Sequence, residues 1–193
     1  MARLLTYESN LMIDLSADLL LHDKVYPMSL FLTSDEKQAI LSSNNRQPIL
    51  TDLFWALQSR VRDRALKPGL MSPDDQVDWW RVVAEYLGDA AMVYALKPSE
   101  ETAVWLRDVT LSVARRSAVD WTGSSYRTLI DAPEEAGTKG YLETTHIVWG
   151  LSMVLDLAAD VLTAAEQQEV KAVLTDRGMP MCLKWVEATN HMA

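Results

Sequence analysis

Cysteine is almost missing from this chain. Cys182 stands alone in 193 residues, so no internal disulfide can form. It has no CxxC partner and no metal-ligand spacing, and its apolar surroundings read it as a small core residue. Glycine and proline are sparse too, at seven each, fewer than the turns of an all-β sandwich of this length require. No stretch approaches the roughly 20 apolar residues of a membrane span. Basic charge is in short supply: 18 Lys and Arg stand against 27 Asp and Glu, for a formal net charge of −9. That argues against nucleic-acid binding, which depends on neutralising phosphates. It also counts against a polyanionic ligand, unless the basic residues gather in one cleft. Walker, GxGxxG, GxSxG and HExxH motifs are all lacking, so neither a cofactor nor a metal is expected. The first nine residues lack the long apolar core of a signal peptide. The expected location is therefore the cytoplasm, or the periplasm or exterior if a leader has been removed.

What is present points to packed helices. Apolar residues make up 49% and charged residues 23%, a balance that excludes a largely disordered chain. Residues 1–33 are poorly periodic; a short helix over Leu11 to Leu21 ends before Pro27. Ser34 reads as the N-cap of a helix with Asp35 and Glu36 in its first turn. Pro48 opens a second helix reaching about Leu66, with Leu50, Leu53, Phe54, Leu57 and Val61 at helical spacing. A third runs from about Val77 to Leu96, its stripe formed by Trp80, Val83, Ala84, Leu87, Ala91 and Tyr94. In it, Gly88, Ala90 and Ala91 permit another helix to approach closely. Ser99 caps a fourth, to about Val119, with Leu106, Val109 and Val113 inward. Residues 120–140 read as a long loop of the kind that is often functional. The strongest helix spans Thr144 to Val161, apolar on most faces, with Ile147, Leu151, Val154 and Ala158 on its main stripe. Thr163-Ala-Ala-Glu166 is a capping box opening the last helix, which Gly178 and Pro180 interrupt. The fold class expected is all-α, built from helical hairpins in series.

Few residues here carry chemistry of their own. Of three histidines, His22 reads as a surface residue and His146 as a local hydrogen-bonding group or a contact at a cleft mouth. His191, after Asn190, alone suggests only a polar tail. Seven tryptophans suit either helix interfaces or stacking on sugars. Trp80 falls on an inner stripe and is assigned to the core; Trp79, Trp121 and Trp149 are the candidate carbohydrate platforms. Glu143 with Asp131 or Glu134 offers a carboxylate pair of the kind glycoside hydrolases use.

The order of several phrases resembles one group of families. Residues 28–41, MSLFLTSDEKQAIL, precede the phrase YLGDA from Tyr86 to Ala90. LETTHIVWGLSMVLDL over 142–157 and VLTAAE over 161–166 follow, and Thr189-Asn190-His191 comes last. This succession, over residues 26–193, resembles the heparinase II/III-like and alginate lyase families. The resemblance implies part of an (α/α) toroid over residues 34–193, after an irregular segment over 1–33. It implies β-elimination on a uronic-acid polysaccharide, in which the C5 proton is removed and the 4-O-glycosidic bond breaks. Charge builds on the uronate carboxylate as this happens, and an amide and an imidazole can offset it. On this resemblance Asn190 and His191 are catalytic: Asn190 neutralises the carboxylate, and His191 assists or acts as base. Tyr141, His146, Trp149 and Trp121 are expected to line the substrate face. The family's catalytic tyrosine falls beyond the Asn-His pair, and neither Tyr126 nor Tyr141 matches it. The chain by itself is accordingly expected to be inactive, with self-association through an exposed toroid edge. The other readings are a non-catalytic carbohydrate-binding or scaffold domain and a toroid glycoside hydrolase.

Overall fold

Side-chain oxygens set where most of the helices begin. The computed structural model describes residues 30–43, 48–66, 79–122, 137–138 and 140–190, with helix placement but no side chains for 79–81 and 188–190. Helix α1, Ser34–Ser43, is capped one residue earlier than its serine suggests. Thr33 Oγ1 accepts the Glu36 N–H at 3.2 Å, and the Glu36 carboxylate accepts the Thr33 N–H at 2.9 Å. This reciprocal box satisfies two orphan donors and holds the Glu36 carboxyl below its usual range. Just before it, the Asp156 carboxylate accepts the N–H groups of Leu30 and Phe31 at 2.8 and 2.9 Å, tying the chain's entry to a distant helix.

Helix α2, Pro48–Arg60, runs on through one π-turn, Val61–Ala65. Helix α3 covers Trp79–Leu96, and α4 covers Glu100–Ala114 behind a Ser99 cap that accepts the Thr102 N–H at 3.2 Å. The expected fourth helix therefore stops at Ala114. A turn follows, and the short α5, Ala118–Thr122, occupies the start of what reads in sequence as loop. Residues 123–136 lie outside the described residues.

Helix α6 is Leu142–Leu157, two residues longer at its start than the apolar pattern indicates and four shorter at its end. Thr144 Oγ1 accepts the Tyr141 N–H at 3.0 Å and donates to the Trp121 carbonyl at 2.8 Å, which draws the start inward. At the end, Ala158 leaves the helical conformation and a 3-10 turn, Ala159–Val161, follows. The capping box of α7, Ala164–Val173, forms as the sequence predicts, with Thr163 and Glu166 bonded both ways at 2.8 and 3.3 Å.

Pro180 does not interrupt the last helix. A π-turn, Leu174–Gly178, carries the chain into α8, Met179–Asn190. In that turn the Met179 N–H reaches back to the Leu174 carbonyl, so the ladder has already shifted where proline offers no donor. Among the described residues there is no strand, and the fold is all-α.

The core is centred on α3 and α6, whose mutual contact is the most extensive between two helices among the described residues. Ala84, Leu87 and Ala91 of α3 meet Ile147, Leu151 and Val154 of α6, all buried, with Leu106, Val109 and Val113 of α4 and Val170 of α7 around them. Burying each of the larger side chains contributes roughly 1.5–3 kcal/mol. Gly150 sets the spacing, because a Cβ there would stand 2.9 Å from the Ala84 Cα. Arg115 clamps α4 to α7 through a two-pronged bond to Glu169 at 2.7 and 2.9 Å, and Arg107 does the same with Glu166. Cys182 is half-buried, and that burial pushes its thiol pKa up.

Candidate functional site

An open groove of about 450 Å³ lies along the α3–α6 pair, lined by Glu85, Thr145, His146 and Trp149. Its shape follows from one glycine. A Cβ at Gly88 would stand 2.7 Å from the Trp149 ring, so only glycine leaves room for the indole against α3. Trp149 packs against α3 there while remaining 41% exposed. His146 precedes Trp149 by three residues and Thr145 by four, so the imidazole and the hydroxyl share the tryptophan's side of the helix. Thr145 Oγ1 donates to the Leu142 carbonyl at 2.6 Å, which fixes its rotamer and turns its lone pairs outward.

The acidic wall of the groove is neutralised from behind. Arg60 of α2 donates to Glu85 at 2.9 Å and lies 2.8 Å from Asp89, off the axis needed for a hydrogen bond. Its guanidinium also sits over the Tyr86 ring, 5.9 Å from the centroid. Burial raises the Asp89 pKa, Arg60 opposes the rise, and Glu85 adds to it. Glu85 thus reaches the groove paired with Arg60, and its oxygens can accept hydroxyl hydrogens.

Tyr141 stands at the N-cap of α6, four residues before Thr145 and eight before Trp149 on the same stripe. Its ring packs edge-on against Trp185 of α8, with centroids 5.8 Å apart and planes at 72°. Close by, the Gly140 N–H donates to the Met181 carbonyl at 2.9 Å, which ties the start of α8 to the start of α6.

Trp121, expected on the substrate face, is instead a core residue at 0% exposure. Its indole N–H donates to the Val113 carbonyl at 3.1 Å, and the Arg177 guanidinium covers the ring at 5.5 Å. The tertiary reason is Gly178, which lets the ring slide under the α7–α8 junction: a Cβ there would stand 3.0 Å from it. Glu143 is buried as well, at 1% exposure, and does not face the groove; Asp131 and Glu134 lie outside the described residues. Asn190 closes α8, but its side chain lies outside the described residues, as do all of His191 and His22 and the side chains of Trp79 and Trp80.

Of the expected site residues, then, His146 and Trp149 come together in the groove, while Tyr141, at the start of the same helix, packs on Trp185 and is not part of the lining. Glu85 and Thr145 join the first two without having been expected. For Glu85 the only signal is Gly88 one turn later; for Thr145 it is its place between Tyr141 and Trp149. Among the described residues, no group of three or more His, Cys, Asp or Glu is placed to hold a metal ion. No helix among them is long and apolar enough to cross a membrane. No protein-family model, no curated protein and no solved structure matches the chain at a significant level.

Proposed function

We propose that the α3–α6 groove binds a saccharide chain, and that this chain is the N-terminal helical part of a uronate-polysaccharide lyase. The observation that carries the binding reading is Trp149, packed on Gly88 and open to solvent beside His146, Thr145 and the Arg60-backed Glu85. An indole face suits the C–H face of a pyranose, and the three polar groups suit its hydroxyls. The elimination reading rests on the order of phrases in the sequence. It assigns to Asn190 the hydrogen bond that offsets charge on the uronate carboxylate. His191 assists it or takes the C5 proton; a C4=C5 double bond forms as the 4-O bond breaks, and the departing O4 takes up a proton from the base or from water. The hairpins would form part of an (α/α) toroid, and uncovered apolar side chains such as Ile49 and Leu53 would drive self-association at its edge.

Titration of a mannuronate trimer, followed by tryptophan fluorescence, tests binding. Trp149→Ala is expected to weaken it about tenfold, the equivalent of 1.4 kcal/mol; unchanged affinity would sink the groove. Elimination is read separately, as an unsaturated product absorbing in the ultraviolet, and in the longer protein of which this reading makes the chain a part, since the chain alone is expected to be inactive. Product that persists undiminished in both Asn190→Ala and His191→Ala removes those residues from the mechanism. Binding with no product from any uronate polymer describes the alternative, a non-catalytic saccharide-binding unit.

A further inference from the structure

A second groove, of about 280 Å³, lies between α2 with its π-turn and the turn joining α3 to α4. Trp55, Gln58, Ser59 and Arg62 line one wall at i, i+3, i+4 and i+7, a single helical stripe. Lys97 and Glu101 come from the opposite wall. Trp55 is 59% exposed, which leaves much of its ring open to solvent. Lys97 holds its ammonium 5.7 Å from the centroid of that ring. Arg62 engages Asp63 through two contacts at 2.8 and 3.3 Å, both residues exposed. A guanidinium has five N–H donors, so this leaves donors to spare. In a protein of net charge −9, the groove lining carries two cations and one carboxylate. With Arg62 paired to Asp63, it is Lys97 that sets positive charge beside the exposed Trp55 ring.

We propose that this groove is a second binding site, for an acidic sugar. Trp55 stacks on the pyranose ring, Lys97 and Arg62 meet its anionic group, and Gln58 and Ser59 hydrogen-bond its hydroxyls. The site shares with the preceding reading only the class of ligand, and none of its residues. Glu85 of the first groove and Val93 of the second stand eight positions apart on α3, about 12 Å along its axis.

Amide NMR with a mannuronate trimer, and with maltotriose as the neutral control, tests the proposal on the whole chain. The mannuronate trimer is expected to shift the amides of Gln58, Ser59 and Lys97, and maltotriose is not. Trp55→Ala and Lys97→Gln are each expected to weaken the response at those amides about tenfold while leaving the Thr145 and Trp149 amides responsive. Lys97→Gln keeps the stem and removes the charge, so it reports on the anion even if the tryptophan variant is unstable. Shifts confined to Thr145 and Trp149, or an equal response to maltotriose, overturn the second site and spare the first. Shifts confined to the Trp55 groove do the reverse.

Discussion

The α3–α6 pair and the α1–α2 pair are both helical and both carry apolar stripes, yet they differ in what covers them. Along α6, Ile147, Leu151 and Val154 are buried against α3, and Gly150 brings the two backbones close. Along α1 and α2 no residue is buried at all; Leu53 is 61% exposed, and Ile40, Leu50, Phe54 and Leu57 line an apolar hollow with Leu96. A stripe at helical spacing shows which face seeks a partner, not that a partner is there. Small residues make the difference in the first pair, because they let α3 and α6 share one continuous packed surface.

The contrast sharpens first through truncation. Leu151→Ala should cost about 2–5 kcal/mol, whereas Leu53→Ala should stay within about 0.5 kcal/mol, both by urea denaturation. That contrast is expected in dilute, monomeric protein; a Leu53→Ala cost that grows with protein concentration is what the self-association reading expects. The next largest effect is expected at the glycine. Gly150→Ala should destabilise by about 1–3 kcal/mol, since its Cβ meets the Ala84 backbone and not a movable side chain. A neutral or stabilised variant would show that the helices can separate at no cost, and that their closeness does not set the groove.

The smallest effect expected is electrostatic and lies between α4 and α7. Glu166 has its pKa lowered from 4.5 to about 2, by Arg107 first and then by the Thr163 N–H. Its folded pKa lies below its ordinary one, so the charged form favours the fold. That contribution is complete above pH 4.5 and is lost as the pH falls toward 2. Arg107→Met should flatten the loss of stability across that window. An unchanged acid limb would assign it to other groups, Glu169 and Glu36 among them, whose carboxyls are also held low.

Much of the fold was legible in local chemistry. The Thr163–Glu166 box, the Ser99 cap and the Pro48 start all act within four residues, and all appear where the sequence places them. The α1 cap shifted by one residue because Thr33, not Ser34, has Glu36 three positions on. Pro180 misled because a π-turn, a property of the helical ladder, leaves no donor wanting there. The site was legible in part. His146 and Trp149 are neighbours on one helix, so spacing alone brought them together. Glu85 and Arg60 are brought to them by contacts across the chain, and Trp121 left the expected surface for the core.

By itself, then, the sequence determined that the chain is helical, where several of the caps fall and which stripe of each helix is apolar. These follow from backbone hydrogen bonding and side-chain spacing within a few residues. Only the tertiary structure decided which tryptophans are buried, where Arg60 and Lys97 come to rest, and which grooves stay open. Those depend on how closely two helices can approach, and Gly88, Gly150 and Gly178 set that distance only once their partners are in place.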